Sequence, residues 1–570
     1  MAARVITPIS ALEFSLMMRE VTPPVGWSSR LAVGNSGGPD SICLLFLLAR
    51  YIKSQREGSS VQSMPKLISL SIDHDLQASS TAMANQAAMM AESIGVKHIT
   101  LKLPWGQPNY LEKPGPDDNI EEKARDMRQA VLFEHMSLLG ANSLALGHHI
   151  DDQVETMFMR LGRGSSQLGL AGMRPCRRWG MGSRSDIGQR YMIEGMRRWV
   201  VRPLLGVGKD RILATCEQQN LNYVTDSTNF QPHLTIRNAI RHILRRGGTS
   251  SSLLEIASLA QLKASTIQNL VEIESAASRV SGYAFGLMSA LEDLRAVNKA
   301  MSTIRSNTDQ AVDEIIRKHR IASPPGTFMI SPLTIKAIES QPLQEALLFR
   351  ITRYVSPEPW GHPQAELGRR KTSVHRLANH LCDVDSFSAK NNNSLCVGSG
   401  VWWRLVALLP RKLSLEVKDV DPWHLAWLAL RQPQIRSDNN PAVHRSLEDL
   451  VPDVTKSIVQ NKQLLSSQKG SPTIELLYDH RFLICFALDK IPRSTWEMLS
   501  SGNGKVLVKM AKPWMIPQVV LQINNETQIL QTAVIPEHFL RHRQLGGRRP
   551  QKDLHSGWIT IQYFRPSSSI

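Results

Sequence analysis

The sequence predicts an α/β fold: a doubly wound parallel sheet in the N-terminal part, then a helical domain and a smaller α+β or β-rich C-terminal domain. Three observations carry this. Between residues 31 and 160, short apolar runs of strand length alternate with longer helical segments, and such alternation builds a parallel sheet with helices on its faces. The first of these strands passes into its helix through a small-residue loop, Ser36-Gly37-Gly38-Pro39-Asp40-Ser41. At 570 residues the chain is also too long for one core.

In chain order, residues 1–30 are a lead-in with a short helix over 9–20. Leu31–Val33 is the first strand, and the apolar segment Ile42–Leu48, continued to Lys53, is the first helix of the sheet. Lys66–Ile72 alternates as a second strand and ends in Asp73-His74-Asp75-Leu76. Thr81–Ser93 is Ala- and Met-rich and helical, and Gly95 stops it. Lys97–Leu103 is a third strand and Pro104–Asp118 a loop. Ile120–Leu139 is a long helix of good helix formers. Ser143–Leu146 is the fourth strand and Ile150–Arg160 its helix. Ligands of such sheets bind beyond the carboxyl ends of the strands, so Ser36–Ser41, Asp73–Leu76 and Gly147–Asp152 are expected on one edge.

Gly162–Leu205 is rich in Gly, Arg and Ser, with strands expected over Tyr191–Leu205 around Gly195, and Lys209–Gln219 is helical. Helices are expected over Leu253–Leu294, 296–322, 333–354 and 363–382. Ser394–Leu409 holds two short strands about Gly398–Gly400. Ser437–Pro441 and Gln463–Pro472 are polar loops, and Ile474–Asp489, Val506–Met510 and Val519–Ile523 are strands. The expected domains are 1–250, with an insertion about 177–199, then 251–410 and 411–570.

Composition narrows the function classes. Lys+Arg of 67 against Asp+Glu of 50 gives +17, a balance that suits RNA as partner. The six cysteines include no CxxC pair, which argues against a disulfide framework, a zinc knuckle or an iron–sulfur site. No run approaches the roughly 18 apolar residues of a membrane span. The N-terminus has neither the acid-poor character of a transit peptide nor the apolar core of a secretory signal.

The Ser36–Ser41 loop has the make-up of a phosphate cradle. Gly37 and Gly38 let the backbone approach a ligand, and N–H groups at a helix start attract anions. Ser36 and Ser41 offer hydroxyls, and Asp40 can face a metal. It is not a Walker A loop, which needs GxxxxGK[ST]. Gly206-Val207-Gly208-Lys209 resembles one only superficially, lacking the first glycine and carrying Asp210 in place of Ser/Thr, and reads as a turn starting a helix.

A second constellation is Gly147-His148-His149-Ile150-Asp151-Asp152-Gln153-Val154-Glu155-Thr156. On a helix, Asp151 and Glu155 are i,i+4 and Asp152 and Glu155 are i,i+3, so their carboxylates converge. Such a group can hold Mg²⁺, bind an ammonium group or deprotonate it. It also fits a plain acidic first turn favoured by the helix dipole.

These stretches resemble the tRNA(Ile)-lysidine synthetase family of PP-loop ATP pyrophosphatases. GHHIDDQVETMFMRLGRGSSQLGLAGM is similar to the family's HHxDDQxET followed by LxRGxxxxGLxGM. Asp73-His74 with Leu76 resembles DHxL, Glu121–Arg128 resembles ExxARxxR, and Arg202-Pro203-Leu204-Leu205 matches RPLL. Asp226-Ser227-Thr228-Asn229 with Arg237-Asn238-Ala239-Ile240-Arg241 resembles DxTN…RNxIR. With the loop, the motifs keep their order across about 200 residues.

The resemblance implies an adenine-nucleotide α-hydrolase-like fold and a two-step reaction. ATP adenylates C2 of the wobble cytidine of an isoleucine tRNA with a CAU anticodon, and free L-lysine then displaces AMP. It implies ATP and Mg²⁺ as cofactors, with Ser36, Gly37, Gly38, Pro39, Asp40, Ser41, Asp73 and His74 on ATP and Asp40 at the metal. Asp151, Asp152 and Glu155 would bind lysine, and Asp40, Arg125, His149, Asp152 and Glu155 would be catalytic. Arg202, Arg237, Asn238 and Arg241 would contact tRNA, the last three alternatively forming a plain basic surface helix, and 251–410 would be a tRNA-binding arm. For a eukaryotic source the expected compartment is the mitochondrion, otherwise the cytoplasm.

The chain departs from the pattern at Gln77, where the family often has Arg, and at Gly147, which replaces a frequent Thr. Alternatives are a tRNA sulfur-transferase of the same superfamily, which would need a cysteine pair, and an inactive tRNA-binding homologue. A small-molecule amidotransferase-type ligase would leave the basic charge unexplained.

Overall fold

The computed structural model describes residues 6–58, 64–76, 80–115, 118, 120–162, 165, 167–182, 191–224, 237–238, 240–241, 291–362, 365, 371–382, 394–396, 398–409, 412–414, 417, 420–433, 451–465, 473–511, 514–524, 526–533 and 557–569. Gln77, the Asp226–Asn229 motif, residues 253–290 of the helix expected over Leu253–Leu294 and the loop Ser437–Pro441 lie outside the described residues. The chain divides into two compact units, 1–307 and 308–569.

The first unit is built on a six-stranded sheet of β1 (Arg30–Gly34), β2 (Lys66–Asp73), β3 (Lys97–Lys102), β4 (Ser143–Leu146), β5 (Cys176–Arg178) and β6 (Trp199–Val201). Their order is β3-β2-β1-β4-β6-β5, parallel except for β5, which runs antiparallel to β6. Both faces are covered, as an all-apolar strand such as Leu31-Ala32-Val33 requires. Leu31 and Val33 point to a core with α1 (Ala11–Val21), α2 (Pro39–Gly58) and α8 (Lys209–Gln218). Ala32 points the other way, to Met127, Ala130 and Met136 of α4 (Ile120–Leu138). Between them in the chain lies α3 (Ser80–Ser93), and after β4 come α5 (Ile150–Gly162) and α6 (Gln167–Leu170). The chain moves outward from β1 to β2 and β3, then returns to β4 on the other side of β1. The β1/β4 pair is therefore the topological switch point, where ligands of such sheets bind.

The element expected around Gly195 is corrected. Tyr191–Leu205 was expected to form strands about Gly195, but Met192–Arg197 is a helix (α7) and only Trp199–Val201 is a strand. Gly195 donates to the Tyr191 carbonyl, a helical bond, and packs against the Gly180 carbonyl with no room for a Cβ. The turn buries Tyr191 against Phe133 and Trp179, with ring centroids 4.7 and 5.9 Å away.

The helix α9 (Leu291–His319) follows. In the second unit, β7 (Phe328–Ile330), β8 (Ser394–Cys396), β9 (Val401–Leu409), β10 (Lys412–Ser414) and β11 (Leu425–Arg431) form one antiparallel sheet. The helix expected over 333–354 is two, α10 (Pro332–Lys336) and α11 (Gln341–Val355), because Pro342 starts the second and cannot continue the first. With α12 (Lys371–Cys382) they cover one face of the sheet. The other face shares a core with two three-stranded sheets, β12 (Thr473–Tyr478), β13 (Phe482–Ala487) and β17 (Ile559–Tyr563), and β14 (Gly504–Ala511), β15 (Ile516–Ile523) and β16 (Glu526–Thr532). Two further helices, α13 (Thr455–Leu464) and α14 (Arg493–Ser500), pack beside them. The single run Ile474–Asp489 is a hairpin, turned by Asp479 and His480 at φ 52° and 50°. Asp479 is buried between Arg431 and Arg481, at 2.9 and 2.5 Å.

Candidate functional site

The loop between β1 and α2 is held from behind by a residue outside the motif, Asn35. Its side chain is 2% exposed. Its Nδ2 donates to Ser69 Oγ (3.2 Å) and the Ala87 carbonyl (3.3 Å), and its Oδ1 accepts from the Gly37 N–H at 2.9 Å. Ser41 Oγ lies 3.1 Å from Asn35 Oδ1 and accepts from the Ser36 N–H at 3.2 Å. Gly37 sits at φ 77°, a conformation open to glycine, and its carbonyl accepts from the Val224 N–H. Ser36 and Ser41 thus brace the loop, and Pro39 opens α2 where its missing N–H is harmless. The first-turn N–H groups of α2 have no partners within their helix, which suits them to an anion.

One strand over, β4 delivers the start of α5. Gly147 brings the two loops together: a Cβ there would lie 2.8 Å from the Asp40 carbonyl oxygen and 3.1 Å from the Ser41 nitrogen. The helix start is capped by a histidine in place of Ser or Thr. His149 Nδ1 accepts from the Asp151 N–H (3.2 Å), and Asp152 Oδ2 accepts from the His149 N–H (3.0 Å), the reciprocal pattern of a capping box. With Nδ1 an acceptor, the neutral ring carries its proton on Nε2. Nε2 lies 3.6 Å from both Asp40 Oδ1 and Asp152 Oδ2, so one imidazole edge bridges the loop and the helix start.

The carboxylates are met by cations from distant parts of the chain. Asp40 pairs with Lys209 Nζ at 2.5 Å. Asp151 takes Arg295 of α9 in a two-pronged pair, at 2.5 and 2.8 Å, and Arg295 also reaches Asp210 at 3.0 Å. Glu155 is 2% exposed and accepts from Arg241 at 2.8 and 3.1 Å, with Arg237 at 3.1 Å. Burial pushes its carboxyl up against the pull of Arg241. Burial acts the same way on Asp152, but His149, His148 and Arg237 outweigh it and hold Asp152 below the usual carboxylate range. Of the three expected lysine ligands, Asp152 is the one not gripped by a two-pronged guanidinium pair among the described residues.

Beside this lies a dense group of cations. Arg202 is buried, donates to His148 Nδ1 (3.2 Å) and the Arg174 carbonyl (2.9 Å), and is pushed down to about 9 by burial, Arg177 and Arg125. Arg177 is pushed down to about 10 by burial and Arg125. Arg125 itself is exposed on α4. Burial and then Arg202 push His148 down to about 3, so it is neutral at ordinary pH. Gln153 fastens the segment after α6, accepting from the Met173 N–H at 2.6 Å and donating to its carbonyl at 3.1 Å. Arg160 joins it through the Gly169 and Gly172 carbonyls.

On the β2 side, Asp73 is turned inward. It accepts from the Asp75 N–H (3.0 Å) and Thr81 Oγ1 (2.9 Å), bracing the β2–α3 turn. His74 is pushed down to about 4 by burial and Arg128, and its buried Nδ1 has no hydrogen-bond partner among the described residues. Asn238 lies in the same turn as Arg237.

Sequence reasoning passed over Asn35 and Arg295, and read Lys209 only as part of a turn starting a helix. For Asn35 a local signal existed, since Asn before a small-residue loop favours a turn closed by its own side chain. The cysteines, scattered in sequence, include one pair brought together. Cys43 and Cys216 are both buried behind the loop, and the Cys216 thiol donates to the Pro39 carbonyl at 3.7 Å. Among the described residues no cluster of three His, Cys, Asp or Glu could hold a metal, and no helix is long and apolar enough to cross a membrane.

Residues 14–246 match the family model of the PP-loop domain. The chain is 32% identical over 268 residues to a tRNA(Ile)-lysidine synthase of Bradyrhizobium sp. (strain BTAi1), covering 46% of this chain and 65% of that one. The same-named protein of Rhodopseudomonas palustris is 31% identical, over 39% of this chain and 56% of its own. That of Bacillus subtilis is 34% identical, over 37% and 39%. The chain thus spans less than two thirds of the length of these relatives. Its loop, its switch-point site and these likenesses agree: residues 14–246 match a PP-loop domain, and over part of its length the chain is similar to tRNA(Ile)-lysidine synthases.

Proposed function

We propose that the chain is a tRNA(Ile)-lysidine synthase, an ATP-dependent ligase that joins free L-lysine to C2 of the wobble cytidine of a CAU-anticodon isoleucine tRNA. The observation that carries the proposal is the junction at β1/β4, where one histidine edge lies 3.6 Å from both the loop carboxylate Asp40 and the helix carboxylate Asp152. A two-step reaction needs the pyrophosphate-leaving half and the amine-binding half that close.

In the first step the cytosine O2 attacks the α-phosphate and pyrophosphate departs. The N–H groups at the start of α2 and the hydroxyls of Ser36 and Ser41 would hold the departing charge. One carboxylate beside phosphates suits Mg²⁺, which takes one or two carboxylates plus phosphate oxygens, so Asp40 fits as its protein ligand. The metal would supply charge neutralisation to the phosphates. The Arg125, Arg177 and Arg202 group would face the negative adenylate, since closely spaced guanidiniums depress one another until an anion joins them. In the second step the ε-ammonium of lysine loses a proton to solvent, the neutral amine forms the C2–N bond, and the C2–O bond breaks to release AMP. Asp152, held below the usual carboxylate range, would be an ammonium counter-ion, with Glu155 holding Arg237 and Arg241 around it. Unstacking of the cytidine precedes both steps.

The test is incorporation of radiolabelled lysine into an isoleucine tRNA bearing CAU, with ATP and Mg²⁺. Label in that tRNA and none in a methionine tRNA with the same anticodon is expected. No incorporation where a bacterial relative works would remove the proposal.

A further inference from the structure

We infer that Lys209 is a phosphate-contacting residue of the nucleotide site, a role resting on the reading of that site as an ATP site. Three features set this lysine apart from an ordinary surface ion pair.

Its root is built. The turn before α8 is tied to the start of α5, since the Ile150 N–H donates to the Val207 carbonyl at 3.0 Å and the Val207 N–H to the Leu204 carbonyl at 2.9 Å. At Gly208 a Cβ would lie 2.8 Å from Arg295 Nη1 and closer still to Asp210 Oδ1, so the glycine makes room for the Arg295–Asp210 pair. Three elements therefore fix the Lys209 backbone at the sheet edge.

Its tip reaches the cradle. Nζ lies 2.5 Å from Asp40 Oδ1, in the first turn of α2, where a phosphate would meet the helix N–H groups. A phosphate seated there would be within reach of the same ammonium through a small rotation of its four-carbon stem.

Its head is not locked. The side chains of Lys209 and Asp40 are 27% and 31% exposed, unlike the Glu155 side chain at 3%. Lys209 keeps freedom to turn from carboxylate to phosphate, or to bridge both. It pairs with Asp40, and with nucleotide bound its three N–H donors serve the β- and γ-phosphate oxygens.

The experiment titrates the full chain with non-cleavable α,β-methylene-ATP by calorimetry, without tRNA or lysine. Lys209→Met is expected to weaken binding by about tenfold to a hundredfold, the loss typical of one charge-assisted contact. Lys209→Arg should recover most of it. The deciding measurement is made in an Asp40→Asn background. A lysine that touches phosphate still matters there, whereas one that only neutralises Asp40 does not. Unchanged affinity in Lys209→Met, or an effect that vanishes in the Asp40→Asn background, overturns the inference. Should Lys209→Met not fold, Lys209→Gln supplies the same comparison. A wild-type chain that binds no nucleotide overturns the ATP-site reading and this role together. Wild-type binding unaffected by the substitution overturns only the role of Lys209.

Discussion

At Gly147 a missing side chain sets the geometry of two loops. A Cβ would press within 2.8 Å of the Asp40 backbone, and backbone gives way less readily than a flexible side chain. Gly147→Ala is expected to weaken nucleotide binding and to lower stability by about 1–3 kcal/mol, as overpacking does. Urea denaturation and nucleotide titration of the variant check both. Glu155 poses the opposite problem. It is nearly fully buried among guanidinium groups, so Glu155→Gln leaves charge without a counter-ion and is expected to cost about 3–5 kcal/mol, read from the same denaturation curves. The histidines give a pH signature. His148 and His74 are held to about 3 and about 4, against an ordinary 6.5. Between those values the unfolded chain binds protons that the folded chain refuses. Stability is therefore full above pH 6.5 and falls as pH drops, by up to about 1.4 kcal/mol per pH unit for each histidine. His148→Gln should flatten that slope between pH 6.5 and 4 in denaturation measurements.

Among elements, α9 contributes most that the sequence did not announce. Val297 and Met301 join an apolar cluster with Val154, Phe158 and Leu170, while Asn298 and Arg305 donate to the Leu170 and Gly172 carbonyls. Arg295 fastens the first turn of α5 through Asp151, so Arg295→Ala is expected to speed amide hydrogen exchange in Ile150–Glu155 while leaving the exchange of β1 and β2 unchanged. Equal exchange in that first turn would show that α9 only packs there. The strands and helices from β1 to α5 were legible because each follows from local apolar periodicity and its own turn. The site's carboxylates were legible for the same reason. Their counter-ions were not: Lys209 is 169 residues from Asp40 and Arg295 is 144 from Asp151, separations that no local pattern spans. The misread elements have local causes too. Tyr191–Leu205 holds one short apolar strand behind a glycine-pinned helical turn, and the β12–β13 turn is made by Asp-His, not by Gly or Asn.

For the whole chain, the excess of 17 positive charges bears on how a nucleic acid would be held, and the structure divides those charges by task. Arg237, Arg241 and Arg295 are spent on Glu155 and Asp151, and Arg350 on Asp309 and Asp313. Such cations release no counter-ions when RNA binds, because carboxylates already neutralise them. Cations that do meet phosphates weaken binding with salt, by a slope of about −0.7 to −0.9 in log affinity against log salt per phosphate. For the proposed tRNA partner, affinity should therefore fall linearly on that plot between low and physiological salt. The family resemblance would assign Arg241 to tRNA. Its 2.8 Å pair with Glu155 leads to a different expectation: Arg241→Gln lowers stability but leaves the salt slope unchanged. Filter binding of the CAU-anticodon tRNA across a salt series, with wild type and Arg241→Gln in parallel, decides it. A slope shallower by about one unit in the variant would return Arg241 to the tRNA interface. An unchanged slope beside a lowered unfolding midpoint would keep it as the partner of Glu155.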